Sequence, residues 1–141
     1  MDGLGTQYLF VTITDTNTLM KRVVAHSPLW KKFFSAEASA LSEKLGPTLM
    51  TSHHIGSTAI PSLPAKPIID ILLEVTSVSL LDKKSSTLES RGYDLRGEYG
   101  IEGRRYFKKQ PVGGVPGFHV HAYEAPSSTP SGLSQLPQAE A

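Results

Sequence analysis

The order of secondary-structure elements that the sequence predicts indicates an α+β domain, in which helices pack against a mixed or antiparallel sheet. Three observations predict it. Aromatic and aliphatic residues recur at helical spacing over 29–45, and an apolar run over 67–75 has the composition of a buried strand. Two strand-like segments, 104–109 and 118–123, flank a turn rich in glycine and proline. The 141 residues fit one domain with a sizeable core.

The first predicted helix follows an N-terminal extension, residues 1–21, in which 8–14 is either a strand or irregular chain. The helix begins after Ser27, which has the side chain of an N-cap and precedes a proline suited to the first turn. Gly46, followed by another proline, ends it. The apolar stripe that we assign to the core contains Leu29, Trp30, Phe33, Phe34, Ala38, Leu41 and Leu45.

Two predicted strands follow this helix and are separated by a loop. Residues 48–55 form the first strand and 56–67 the loop. The second strand, 67–75, is apolar on both faces apart from Asp70 and Glu74. Such a run is typical of a strand in the middle of a sheet, with both of its faces covered.

The remaining elements complete the predicted sheet. A helix is expected over 79–90, then a short strand over 93–96 and the two strands 104–109 and 118–123. The lysine pairs at 83–84 and 108–109 are expected to be solvated. From Pro126 onward the residues are mostly small or polar, so 126–141 is predicted to be a disordered C-terminal tail.

Composition narrows the classes of function. The chain has no cysteine, which excludes disulfides, thiolate metal sites and cysteine nucleophiles. Its formal net charge of +1 makes nucleic acid an unexpected partner. No run approaches the ~20 apolar residues that span a bilayer, and the N-terminus lacks the pattern of a signal peptide. We therefore expect no membrane association and a cytoplasmic location.

The segment 54–71 carries the most specific chemical pattern. Gly56 allows a backbone to approach a phosphate closely, and the hydroxyl of Ser57 and free N–H groups of the turn can donate to it. Asp70 lies within an apolar strand, where an unpaired carboxylate is costly to bury. We therefore expect Asp70 to face a cleft, a metal ion or a cation; an internal ion pair with Lys66 or an arginine is the structural alternative.

These residues resemble the GrpB-like family, a branch of the polymerase-β-type nucleotidyltransferase superfamily. The resemblance covers roughly 22–124, and we take 22–125 as the domain. It is most specific where a Gly-Ser block, an Asp block and an HxH block occur together. The matching blocks are 27–30, His54 to Pro61, Ala65 to Ile71, Gly92-Tyr93, 103–107 and His119-Val120-His121. The resemblance implies a nucleotidyltransferase-like mixed sheet with helices packed on it.

In that superfamily a Gly-Ser turn holds a triphosphate, and a strand supplies two acids separated by one residue. Gly56-Ser57 matches the turn and Asp70 matches the first acid, but position 72 is leucine. Glu74 shares the face of Asp70, yet four strand residues cover about 13 Å. Catalytic metal pairs are only about 4 Å apart, so Glu74 cannot simply replace the missing acid.

His119 and His121 supply a second set of candidate ligands, because residues at i and i+2 of a strand share a face. With Asp70 they could hold a divalent ion, Mg²⁺, Mn²⁺ or Zn²⁺, and imidazole favours the transition metals. Arg104 and Arg105 should point to opposite faces of their strand. The predicted catalytic residues are Asp70, Lys66, His119 and His121. The predicted nucleotide- or phosphate-binding residues are His54, Gly56, Ser57, Thr58, Arg104 and Arg105.

Three functions follow from these residues. The first is a nucleotidyltransferase-like protein that binds a nucleotide or another phosphorylated small molecule at the turn, with a metal near Asp70. The second is a non-catalytic binding module for a nucleotide or a protein, suggested by the missing second acid. The third is a metal-binding or hydrolytic site built from Asp70 and the HxH strand.

Overall fold

The computed structural model describes residues 22–126. The segments 1–21 and 127–141 lie outside the described residues, as do the predictions for the extension and nearly all of the tail. The helices are α1 (Leu29–Leu45), α2 (Val78–Asp82) and α3 (Ser85–Ser90), and 3₁₀ turns span Gly46–Thr48 and Ser57–Ala59. The strands are β1 (Leu49–Ile55), β2 (Ile68–Val75), β3 (Tyr93–Leu95), β4 (Arg105–Lys109) and β5 (Gly117–Glu124). Among the described residues, no helix is long and apolar enough to cross a membrane.

The five strands form one mixed sheet in the order β1-β2-β5-β4-β3. β2 pairs with β1 in antiparallel fashion and with β5 in parallel fashion, while β5 with β4 and β4 with β3 are antiparallel. The predicted α+β class and the interior position of the 67–75 strand are confirmed. Between β2 and β5 the chain forms α2, α3, β3 and β4. The parallel pair therefore joins two segments that are distant in sequence.

One face of the sheet carries the hydrophobic core. Alternate residues of β2, such as Ile69 and Ile71, pack with Val120 of β5 and with Trp30 and Leu41 of α1, all of them buried. The predicted stripe of α1 therefore covers this face, although Leu29 at the helix start is 52% exposed. We call this side of the sheet the helix face and the opposite side the polar face.

The predicted helix over 79–90 is divided into α2 and α3. Ser77 caps α2, because its hydroxyl accepts hydrogen bonds from the N–H groups of Ser79 and Leu80. Ser85 Oγ donates to the carbonyl of Asp82 at 2.6 Å, where the helix is interrupted. Such side-chain bonds to the backbone compete with helical hydrogen bonds and favour a break at this point.

Glu37 anchors α1 to the far end of the sheet. This glutamate is 4% exposed and accepts hydrogen bonds from Arg91, the Tyr93 hydroxyl and Lys109. These partners hold the pKa of Glu37 below its ordinary value, although burial opposes them as the largest single influence. The prediction that the lysine pair at 108–109 is solvated was wrong for Lys109, because its Nζ lies 2.9 Å from Glu37 Oε2.

Candidate functional site

A cleft of about 430 Å³ opens beside Asp70, where the loop after β1 meets the start of β2. Asp70 is the third residue of β2, and its side chain lies on the polar face with 32% of its surface exposed. Ser57, Thr58, Lys66 and His119 line the same cleft. The fold therefore gathers the turn, the lysine, the acid and one histidine of the predicted set.

Gly56 packs directly against the carboxylate of Asp70. A Cβ placed on Gly56 would lie 2.8 Å from Asp70 Oδ2 and 3.3 Å from Asp70 Cβ. The backbone at Gly56 has φ 77° and ψ −171°, a region that is essentially limited to glycine. Glycine is required here both for the turn and for the approach to Asp70.

The two hydroxyls of the turn have different surroundings. Thr58 is 3% exposed, and its Oγ1 lies 2.9 Å from His54 Nε2. Ser57 is exposed at the cleft. The first hydrogen bonds of the turn run from Ala59 N–H to Gly56 O and from Ile60 N–H to Ser57 O. The N–H groups of Ser57 and Thr58 precede them and therefore have no acceptor within the turn.

The HxH strand lies next to Asp70 because β5 pairs in parallel with β2. In this register Asp70 is opposite His119, and Leu72 is opposite His121. Asp70 Oδ1 is 3.9 Å from His119 Nδ1 and 3.7 Å from His121 Nε2. Both distances exceed those of hydrogen bonds, so the three side chains converge without direct bonding.

The surroundings of His119 favour the neutral form of its imidazole. Burial lowers the pKa of its imidazole below the ordinary value, and Lys108 and His121 lower it further, while the charge of Asp70 acts in the opposite direction. The ring is therefore neutral near pH 7 and keeps one nitrogen with a free lone pair.

Arg104 determines how His121 presents its ring. This arginine is 7% exposed and donates hydrogen bonds to the carbonyls of Glu98 and Tyr99. A third contact, of 3.3 Å, joins its Nη1 to His121 Nδ1. A guanidinium has no acceptor, so His121 Nδ1 must be the acceptor. The neutral His121 ring then carries its hydrogen on Nε2, the atom that faces Asp70.

These contacts do not fit a two-metal site. Among residues 22–126, no group of three or more His, Cys, Asp or Glu side chains is arranged to hold a metal ion. Leu72 stands where the second acid of the superfamily would be. Glu74 is 4% exposed and is engaged by Thr51 and His53. His121 would have to give up Arg104 and change its tautomer before its Nε2 could bind a metal.

Lys66 lies at the mouth of the cleft and forms no salt bridge with any other residue in the range 22–126. In the same range Asp70 pairs with no lysine or arginine, although an internal pair was the structural alternative for this acid. Both charges are thus available to a ligand.

Two predicted residues lie on the helix face and do not line the cleft. Arg105 points to the helix face, opposite to Arg104 as predicted, and its Nε and Nη2 donate to the carboxylate of Asp82 at 2.8 and 3.0 Å. His54 also lies on the helix face, where its ring stacks on Phe34 with centroids 4.9 Å apart. Because both side chains have structural partners there, the fold does not bring them to Asp70.

Tyr106 is part of the site and was not predicted from the sequence. Its ring centroid lies 5.9 Å from that of His119 and 5.2 Å from that of His121. Burial and the nearby charge of Asp70 raise the pKa of its hydroxyl above the ordinary value. The strand alternation that separates Arg104 from Arg105 also places residue 106 on the face of Arg104, and that signal was available.

Comparisons with known proteins agree on one family. The sequence profile described as "GrpB protein" matches residues 21–131. The chain is 41% identical over 102 residues to UPF0157 protein YqkA of Bacillus subtilis (strain 168), and this alignment covers 72% of this chain and 29% of that protein. It is 38% identical over 88 residues to glutamate-rich protein GrpB of Alkalihalophilus pseudofirmus, and this alignment covers 62% of this chain and 51% of that protein.

A solved structure also resembles this fold. The crystal structure of conserved protein GrpB from Enterococcus faecalis superposes with a TM-score of 0.67 at 39% identity, covering 73% of this chain and 61% of that chain. The alignments thus span between 29% and 51% of the length of the two curated relatives.

Proposed function

The chain belongs to the GrpB family, and on this premise we propose that it binds a phosphorylated small molecule, such as a nucleotide, in the cleft beside Asp70. One observation carries the proposal. The Ser57 and Thr58 N–H groups of the turn, the exposed Ser57 hydroxyl, the Lys66 ammonium and the Asp70 carboxylate share one cleft of about 430 Å³. Within residues 22–126 Lys66 forms no salt bridge, and Asp70 Oδ1 lies 3.9 Å from His119 Nδ1 and 3.7 Å from His121 Nε2.

The charges suggest how a ligand would lie. A phosphate group is repelled by the Asp70 carboxylate, so its partners in the cleft would be the N–H groups of the turn and the ammonium of Lys66. Asp70 and His119 then face a hydroxyl or amino group of the ligand, or a cation that accompanies the phosphate. A neutral His119 can accept a proton from such a hydroxyl.

Lys66 provides the direct test. We expect Lys66→Met to weaken the binding of adenosine 5′-triphosphate by about 10- to 150-fold, because a hydrogen bond to a charged group contributes about 1.5–3 kcal/mol. Isothermal titration calorimetry measures this, with Lys83→Met as the matched control, since Lys83 is exposed and does not line the cleft. Equal affinity of wild type and Lys66→Met would falsify the proposed cleft.

Leu72 favours binding without turnover as a second candidate function. Two-metal nucleotidyl transfer needs a second oxygen ligand near Asp70, and Leu72 offers none. Product analysis after incubation with nucleotide and Mg²⁺ separates the two cases. Turnover that is lost in Asp70→Asn supports an enzyme, and unchanged nucleotide despite saturable binding supports a binding module.

A metal ion held by Asp70, His119 and His121, the third function expected from the sequence, does not fit the arrangement of these side chains, and Arg104 offers a test of that conclusion. If a metal binds there, His121 must release Arg104, so Arg104→Met should tighten Zn²⁺ binding. Elemental analysis and calorimetry with Zn²⁺ test this. Zn²⁺ binding that is as tight in Asp70→Asn as in wild type would show that the metal lies elsewhere.

A further inference from the structure

The residues that line the Asp70 cleft carry one positive and one negative charge. Lys66 supplies an ammonium and Asp70 a carboxylate, and the other lining residues are uncharged apart from the titratable imidazole of His119. Burial lowers the pKa of this imidazole, which is therefore neutral near pH 7. The charges of the lining sum to zero, so a ligand that itself carries both charges is complementary to it.

The two charged parts of the cleft lie close enough for one small molecule to contact both. A Cβ on Gly56 would lie 2.8 Å from Asp70 Oδ2, and Ser57 is the next residue of the turn. The standard lengths of the intervening bonds place the Ser57 nitrogen within about 7 Å of that carboxylate oxygen. A phosphate bound to the turn is repelled by Asp70 over this distance, whereas a cation attached to the phosphate is attracted.

The gap between Asp70 and His119 has the dimensions of an ammonium site. Asp70 Oδ1 and His119 Nδ1 are 3.9 Å apart, too far for a hydrogen bond between them. One nitrogen atom fits between them at about 2.9 Å from each, the usual length of such a bond. Neutral His119 accepts at Nδ1 when its hydrogen is on Nε2. A primary ammonium has three hydrogens and can donate to both atoms at once, whereas a hydroxyl has one.

The rest of the cleft wall is apolar. Val23, Pro64, Ala65 and Ile68 line it beside the charged residues. These side chains suit a short aliphatic chain that joins a phosphate to an ammonium group, since burial of its methylene groups is favourable. The volume of about 430 Å³ lies within the range of small-molecule sites.

We propose that the ligand of the Asp70 cleft is a short phosphate ester that also carries a primary ammonium group, such as a phosphorylated amino alcohol. This inference rests on the proposed function and names the ligand class of the same site. The phosphate accepts hydrogen bonds from the N–H groups of Ser57 and Thr58 and from the ammonium of Lys66. The ammonium of the ligand donates to Asp70 and His119.

Two ligands that differ only by an ammonium or a hydroxyl group test the inference. O-phosphoethanolamine and 2-hydroxyethyl phosphate are titrated calorimetrically into the wild-type protein. We expect O-phosphoethanolamine to bind about 5- to 20-fold more tightly, because a partly exposed hydrogen bond between charged groups has about this effect. sn-Glycero-3-phosphoethanolamine carries the same ammonium on the phosphodiester of a lipid headgroup. Tighter binding of O-phosphoethanolamine than of this diester assigns a free monoester, and the reverse order assigns a headgroup.

Asp70→Asn removes the charge and keeps the shape of the side chain. It should reduce the preference for O-phosphoethanolamine over 2-hydroxyethyl phosphate to about twofold or less. Lys66→Met should weaken the binding of both ligands by similar factors and leave the preference unchanged. Asp94→Asn is the matched control, since Asp94 is exposed and does not line the cleft.

The wild-type comparison needs no variant and therefore decides the inference even if Asp70→Asn does not fold. Equal affinity of the wild type for both ligands, or an unchanged preference in folded Asp70→Asn, would overturn the inference while the phosphate cleft stands. If neither ligand binds but adenosine 5′-triphosphate binds with the expected dependence on Lys66, the inference fails and the proposed function stands. If the triphosphate does not bind either, both fail.

Discussion

Gly56→Ala is the substitution for which the structure makes the sharpest quantitative prediction. An alanine at φ 77° and ψ −171° is strained by about 1–3 kcal/mol. Its Cβ would also lie 2.8 Å from Asp70 Oδ2, and forced overpacking of this kind costs about 1–3 kcal/mol more. We therefore expect the free energy of unfolding, measured by urea denaturation and circular dichroism, to fall by about 2–6 kcal/mol.

A matched glycine separates the backbone strain from the contact. Gly46 has φ 59° and ψ −140°, and an added Cβ there meets nothing within 4 Å. Gly46→Ala should therefore lose only the backbone part, about 1–3 kcal/mol. The difference between the two variants measures the approach of Gly56 to Asp70.

A double-mutant cycle then tests whether Asp70 is the partner. Asp70→Ala removes the oxygen at 2.8 Å and the carbon at 3.4 Å but keeps Cβ at 3.3 Å. Gly56→Ala should cost about 1–3 kcal/mol less in that background than in wild type. The reasoning is refuted if Gly56→Ala costs no more than Gly46→Ala, or if the cost is the same with and without the Asp70 carboxylate.

Two further predictions concern buried ionisable groups. Glu37→Gln should lower the free energy of unfolding by about 3 kcal/mol, because it leaves Lys109 without its anionic partner. Glu43 is exposed on the same helix, so Glu43→Gln should change the free energy of unfolding little. Equal effects of the two substitutions in urea denaturation would contradict a stabilising role of the Glu37 contacts. Burial lowers the pKa of both His54 and His119. The unfolded chain therefore binds more protons, and the free energy of unfolding should fall as pH falls from about 6.5 toward 5. This slope should be smaller in His54→Gln, and an unchanged slope would show that His54 does not contribute.

Much of the local structure was predictable from residue patterns. The aromatic stripe gave the position of α1, and the apolar run around Asp70 gave that of β2, each within a residue or two of its observed bounds. The break between α2 and α3 was missed because apolar spacing carries no signal for it; at this point Ser85 Oγ donates to the carbonyl of Asp82. Arg104 and Arg105 were correctly assigned to opposite faces, since strand alternation is a property of the backbone alone.

The sequence by itself determined which residues share a face of one strand and which segment forms the turn, because these follow from local periodicity and from the conformations open to glycine. Only the tertiary structure decided that β5 lies parallel to β2 with His119 opposite Asp70, since the register between distant strands depends on packing of the whole core. The stacking of His54 on Phe34 and the contact between Arg104 and His121 likewise depend on how distant segments pack. For Gly56 and Asp70 both sources were needed. The sequence indicates the two residues, and the tertiary structure shows that they lie in contact.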